Sequence, residues 1–258
     1  MELCKLPRRL EAIIGMLDPG CELADVGCDH GYTGITAVLR GIAKKALLTD
    51  IRPGPLNAAK ENARRADPEG ERILTRLSDG LAKIEVKEAD TLIISGMGGP
   101  LIQSILTKEP EKTASFRTMI LSPQSLIPEF RRFLKEGGFS VLDEAFVFED
   151  GKYYTVIKTA PVDVMSTPER LPALEKAEDE TDIMSTDRIP GELACEFGAI
   201  LLERKDPVLK QFLYERLEKC DIILCKLEAG TPSESAKKAA GLQGKQREMI
   251  LSALEYYK

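Results

Sequence analysis

Residues 25–32 read Asp25-Val26-Gly27-Cys28-Asp29-His30-Gly31-Tyr32 and are entered through the apolar pair Leu23-Ala24. An acidic residue closes a strand, two glycines stand four apart, and a helix-compatible run from Thr33 to Arg40 follows. Glycines in so tight a turn let backbone N–H groups approach a ligand at a helix N-terminus. A dinucleotide-binding turn is built on G-x-G-x-x-G and receives a pyrophosphate. Here Asp25 precedes the first glycine, and Asp29 stands where a middle glycine would be. Carboxylates so placed suit a cationic ligand better than an anionic one. A strand–turn–helix without any ligand can carry the same glycine pair, so the rest of the chain has to decide.

The elements that would position this turn alternate. Helices are expected over 6–16, 33–40, 53–65, 100–106 and 125–136, and strands over 22–26, 45–49, 73–77, 91–95 and 118–121. This alternation implies an α/β fold, a parallel sheet with helices on both faces. Ligands bind such sheets beyond the strand C-termini. The polar and glycine-rich clusters all fall there: the turn above, Asp50, Ser78-Asp79-Gly80-Leu81, Gly96-Met97-Gly98-Gly99 and Ser122-Pro123-Gln124. Asp50 lies 23 residues beyond Gly27 and can accept both hydroxyls of a ribose. Asp79 follows the third strand at the same edge. Each aspartate also has a plain reading as a cap or turn residue. Asp150-Gly151 between the apolar runs 139–148 and 153–158 signals a final antiparallel hairpin.

The chain has 258 residues, 43% hydrophobic and 30% charged, the composition of a soluble globular protein. No apolar run approaches a membrane span, and Met1 to Arg9 is not followed by a signal core, so a cytoplasmic location is expected. Six cysteines without a C-x-x-C and a single histidine leave few ligands for a metal. Between Pro161 and Ala194 nine Asp/Glu face three Lys/Arg, which accounts for the whole net charge of −6. With Pro161, Pro168, Pro172 and Pro190 this stretch reads as an acidic linker over 161–196. It would join a domain over 1–160 to a helical hairpin over 197–258. Global charge therefore does not exclude an RNA partner for the flanking parts.

In the hairpin, Asp206-Pro207 opens one helix. Leu213, Leu217, Cys220, Leu224 and Leu227 give it a coiled-coil seam. Thr231-Pro232-Ser233-Glu234 reads as a capping box for a second helix with a seam of Leu242, Gln246, Met249, Ala253 and Tyr256. Lys210, Lys219, Lys226, Lys237, Lys238, Lys245 and Arg247 can face phosphates, but interleaved glutamates make a solvated face the commoner explanation.

The loop at 25–31 resembles motif I of S-adenosylmethionine-dependent methyltransferases, and the final hairpin matches the variant of the doubly wound fold those enzymes use. The strings LPRRL, ADVGCDHGY, TDIRPGPL, SDGL, ISGMGG, LSPQ, EDGKYY and FGAILLERKDPVL follow in order. Together they resemble the bacterial tRNA (adenine-22-N1)-methyltransferase family over nearly the full length. The resemblance implies a Rossmann-like methyltransferase sheet followed by a small α-helical coiled-coil domain. It implies S-adenosyl-L-methionine as cofactor without a metal, and tRNA as substrate; the sequence gives no sign of a membrane or an obligate protein partner. Asp25, Gly27, Asp29, Gly31, Asp50, Ile51, Asp79, Gly80, Gly96 and Met97 are the cofactor-site candidates. Arg8, Arg9, Gly98 and Gly99 are the substrate-binding candidates, the glycines because they would let a base approach the backbone.

Adenine N1 carries an in-plane lone pair and needs no deprotonation, so positioning supplies most of the catalysis. Asp29 is the preferred carboxylate for the positive charge that develops. His30 reads either as a base or as a loop-stabilising donor to a backbone carbonyl, the latter favoured. Tyr32 can stack on an extruded base or pack under the loop. Two other readings stay open: another RNA or small-molecule acceptor, and a catalytically silent RNA-binding protein.

Overall fold

The computed structural model describes residues 6–161, 189–229 and 233–258. They form two compact units divided between 183 and 184. In chain order the first contains α1 (Arg8–Gly15), β1 (Cys21–Val26), α2 (Tyr32–Leu39), β2 (Ala43–Asp50), α3 (Pro53–Ala66), β3 (Ile73–Leu77) and β4 (Thr91–Met97). It continues with α4 (Gly99–Lys108), α5 (Pro110–Ser115), β5 (Thr118–Pro123), α6 (Ile127–Glu136), β6 (Phe139–Glu149) and β7 (Lys152–Pro161). The described strands make one sheet in the order β3-β2-β1-β4-β5-β7-β6. Pairing is parallel from β3 to β5, and β7 is antiparallel to both of its neighbours. This is the Rossmann-like sheet with an antiparallel final hairpin.

Continuous apolar runs suit strands covered on both faces. Side-chain alternation then assigns the faces. Leu23, Leu48, Ile93 and Ile120 share one core with Ile13 of α1, Ile35 of α2 and Ala59 of α3. Leu47, Leu92, Ile94 and Leu121 share the other with Ile102 of α4 and Phe130 of α6. Burying each large side chain stabilises by about 1.5–3 kcal/mol before chain entropy is counted. On α6, Arg131 turns inward and its Nε donates to Glu144 of β6 at 2.8 Å. Both residues are buried, so this ion pair lies under the edge strand.

The glycines at the start of α4 have a packing reason. A β-carbon on Gly99 would stand 2.6 Å from the Ser125 carbonyl oxygen, and one on Gly98 2.9 Å from the Ser125 hydroxyl. The Gly99 N–H donates to that same carbonyl at 3.2 Å. Gly99→Ala must push two backbone segments apart and is expected to destabilise by about 1–3 kcal/mol, read as a lower urea midpoint at unchanged slope.

The second unit contains α7 (Gly191–Phe197), α8 (Ala199–Glu203), α9 (Pro207–Ala229) and α10 (Glu234–Glu255). It begins earlier than the expected boundary at 197. Leu193, Cys195 and Phe197 are buried, so α7 is packed structure and not solvated linker. The remainder of the expected acidic linker, 162–188, lies outside the described residues. Asp206 opens α9 by accepting from the Leu209 N–H at 2.8 Å. Ser233 caps α10 by accepting from the Ala236 N–H at 3.1 Å, whereas Thr231 lies outside the described residues.

The expected seam on α9 is buried at Leu213 and Cys220. On α10, Ala253 of the expected seam is buried but Leu242 is 62% exposed, and Ile250, outside that seam, is buried as well. Tyr257, not Tyr256, reaches across, its hydroxyl donating to the Asp206 carbonyl at 2.9 Å. Apolar residues stand on more than one side of α10, so spacing alone does not fix which side packs.

Candidate active site

β1 and β4 are neighbours in the sheet but not in the chain. The chain leaves β1 toward one edge and returns at β4 toward the other, and the loops part between them. A cavity of about 650 Å³ opens there, lined from five loops at the strand C-termini and from Arg9 and Leu10 of α1. Asp25 at the end of β1, Gly27, Asp29 and His30 of the first loop and Tyr32 at the start of α2 contribute on one side. Asp50 and Ile51 come from the second, Asp79 and Gly80 from the third, Gly96 and Met97 from the fourth, and Gln124 from the fifth.

Gly27 and Gly31 have φ of +73° and +74°, the region that favours glycine. The N–H groups of Gly27 and Cys28 both donate to the Thr49 carbonyl, at 2.8 and 3.0 Å, and bind the turn to the end of β2. A β-carbon on Gly31 would stand 2.7 Å from Leu48 Cδ1, so the turn also lies close against β2.

Asp25 is buried, and its carboxyl accepts from the Gly34 N–H at 3.3 Å. Gly31, at the N-cap of α2, has no side chain to offer, so Asp25 caps the helix from the strand behind it. Burial pushes its carboxyl up to about 7, the Gly34 bond opposes this, and the Asp50 charge adds to it. An unfolded aspartate titrates near 3.9, so between about pH 4 and pH 7 the folded state holds the extra proton. Stability from this group is full below the lower value and is lost as pH rises through the upper one. Asp25→Asn keeps the acceptor and removes the ionisation. The variant should therefore gain on the wild type as pH rises from about 5 to 8, measured by urea unfolding at successive pH values.

Asp50 is buried as well. Its carboxylate accepts from the Arg52 N–H at 2.8 Å and from the Asp29 N–H at 3.4 Å, so one side chain ties the second loop to the first. Asp29 sits at φ +52° with its side chain exposed. Its Oδ2 lies 3.9 Å from His30 Nε2. The His30 ring stacks on Tyr32 with centroids 5.5 Å apart and planes 18° apart. Among the described residues that ring bonds to no backbone carbonyl, unlike the favoured expectation. The His30 carbonyl instead accepts from Asn62 Nδ2 of α3 at 3.0 Å. Burial, reinforced by the Asp25 and Asp50 charges, raises the Cys28 thiol far above its ordinary range and keeps it protonated. That removes a thiolate nucleophile from the site.

Asp79 bonds to Lys108 Nζ of α4 at 2.9 Å, an exposed pair at the cavity wall. Gly80, at φ +54°, lies against Ile105. Gly96 is exposed at φ +80°, and the Met97 methyl lies over Gly27. Gly98 and Gly99 do not line the cavity; their smallness serves the contact with Ser125. Arg9 lines the cavity with its guanidinium 5.3 Å from the centre of the Tyr154 ring, while Arg8 does not line it. The Arg8 N–H is held by Glu149. Asn62, Lys108 and Gln124 were not foreseen as parts of the site. Of these only Gln124 had a signal, its place at the end of a strand in the string LSPQ.

Two buried acidic side chains, Asp25 and Asp50, two exposed ones, Asp29 and Asp79, and glycine-shaped loops fit a cationic ligand with hydroxyls to be bound. Among the described residues, no helix is long and apolar enough to cross a membrane and no cluster can hold a metal.

Comparison with known proteins gives the same picture. A methyltransferase-domain family model matches residues 6–157, more than half the chain. The tRNA (adenine(22)-N(1))-methyltransferase of Bacillus subtilis is 34% identical over 157 residues, which span 61% of this chain and 66% of that protein. The crystal structure of the B. subtilis M1A22 tRNA methyltransferase TrmK is 26% identical and covers 97% of this chain and 99% of its own, with a TM-score of 0.77. A Streptococcus pneumoniae protein solved in complex with S-adenosyl-L-methionine is 25% identical and covers 97% of this chain and 100% of its own, with a TM-score of 0.75. The chain belongs to the methyltransferase-domain family and, within that class I group, to the family of the tRNA (adenine-22-N1)-methyltransferases.

Proposed function

We propose that the chain transfers a methyl group from S-adenosyl-L-methionine to N1 of an adenine in tRNA, at the position that names the B. subtilis relative. The observation that carries this reading is the convergence of Asp25, Asp29, Asp50 and Asp79 on one cavity at the sheet's switch point. When bound there, the cofactor supplies an electrophilic methyl group on a positively charged sulfur. Asp50 binds the ribose hydroxyls, and Asp79 accepts from the adenine amino group after exchanging Lys108 for it. Gly27, Gly31, Gly80, Gly96 and Met97 shape the walls, and Ile51 offers an apolar face. Asp29 supports the charge that the methylated base acquires. The His30–Tyr32 stack holds the first loop and presents an aromatic face to an extruded base.

Arg9 marks the side on which RNA approaches, and we assign residues 189–258 to holding the tRNA body through phosphate contacts. Lys219, Lys226, Lys237, Lys238 and Lys245 are exposed there, whereas Arg247 is already paired with Asp221 at 2.6 Å. The test is methylation of total tRNA by the full chain, followed by mapping of the modified nucleotide by mass spectrometry. N1-methyladenosine at one D-arm position is the expected product. Cofactor binding without methyl incorporation would instead support the silent RNA-binding reading.

A further inference from the structure

Gln124 differs from Asp25, Asp50, Asp79 and Ser78 among the polar residues that line the cavity. Asp25, Asp50, Asp79 and Ser78 already hold protein partners, whereas among the described residues the Gln124 side chain bonds to nothing. Its backbone is nonetheless fixed. The Gln124 N–H donates to the Met97 carbonyl at 2.9 Å, and the next residue's carbonyl receives the Gly99 N–H at 3.2 Å. Its amide nitrogen lies 3.9 Å from the point a β-carbon on Gly96 would occupy, and Gly96 is bare and exposed. Leu101 and Tyr32, both exposed, line the same cavity and can cover the faces of a flat ring. An amide with a free donor and a free acceptor, carried on a fixed stretch of backbone, thus borders the bare Gly96.

The chemistry of N1 methylation restricts how a base can be gripped there. The Watson–Crick edge must be turned toward the methyl group, because N1 lies on it. Recognition is left to the other edge, where adenine offers the N6 amino group as donor and N7 as acceptor. One glutamine amide matches that pair with two hydrogen bonds. Guanine offers two acceptors, O6 and N7, and leaves the amide oxygen facing an oxygen.

Resting on the methyltransferase reading above, we infer that Gln124 is the adenine-specificity residue: its amide bonds N6 and N7 of the target base and leaves N1 free.

The test uses the full chain and two tRNAs, one with adenosine and one with 7-deazaadenosine at the methylated position. The analogue keeps N1 but replaces N7 by carbon. Wild type should methylate it with kcat/KM roughly tenfold lower. Gln124→Ala should be slower on adenosine by a similar factor and should treat the two tRNAs alike. Cofactor affinity of the variant, measured by calorimetry, should be unchanged, since Gln124 is exposed and its backbone bonds survive the substitution. Equal rates on both tRNAs in wild type overturn the inference, as does a Gln124→Ala variant that keeps the wild-type preference. A variant whose defect is lost cofactor affinity moves the residue to the cofactor and also overturns it. A wild-type chain that binds cofactor but methylates neither tRNA overturns the function on which the inference rests.

Discussion

Asp50→Ala is expected to weaken S-adenosylmethionine binding by roughly 10- to 100-fold, from the ~1.5–3 kcal/mol typical of hydrogen bonds to a charged group. Two effects act together. The ribose hydroxyls lose their proposed acceptor. The N–H groups of Asp29 and Arg52 lose theirs too, which loosens the loop bordering the reacting end of the cavity. Asp50→Asn separates the two, because an amide oxygen can still accept from one N–H while the charge is gone. It should fall between wild type and alanine. Calorimetry on the three proteins decides the matter, with circular dichroism to show that each is folded. Wild-type affinity in folded Asp50→Ala would remove Asp50 from the cofactor site.

Asp29→Asn should lower single-turnover methylation by on the order of 10- to 100-fold, and His30→Asn should cost much less. The comparison is clean because of the backbone. Asp29 sits at φ +52°, a conformation that asparagine tolerates as readily as aspartate. The substitution therefore keeps the turn and removes one charge. That charge is exposed, so a preorganised position close to the base has to make up for solvent screening. For His30 the structure offers only a stack on Tyr32 and a long contact with Asp29. If His30→Asn is the inactive variant while it still binds cofactor, the histidine performs the chemistry and Asp29 only orients it.

The sheet was legible because its evidence is local. Apolar runs such as Thr91–Ser95, punctuated by glycine and aspartate, mark strand and loop without any knowledge of neighbours. The loops were legible for the same reason, since a parallel sheet brings strand ends to one edge whatever the packing. What spacing could not give was partnership. Asp25 caps α2 through Gly34, nine residues away, and Asn62 reaches the His30 carbonyl from another helix. Gly98 and Gly99 looked like ligand glycines, yet the reason for their size is Ser125, on the next strand's loop. On α10 spacing was ambiguous in a similar way: Met249 and Ile250 are both apolar, and only the neighbouring helix decides between them.

The Arg131–Glu144 pair has a consequence for how this chain can vary. Removing either partner breaks a buried ion pair beneath β6, at a cost of about 3–5 kcal/mol, a large share of a domain's stability. Replacing both together with apolar residues of similar volume carries no such penalty and often gains stability. The two positions therefore form a valley in sequence space, closed to single substitutions and open to paired ones. Drift at one of these sites has to be matched at the other, 13 residues along the chain. The cavity residues are separate from this pair, so such a double replacement would change the tolerance of the fold to mutation without touching the chemistry.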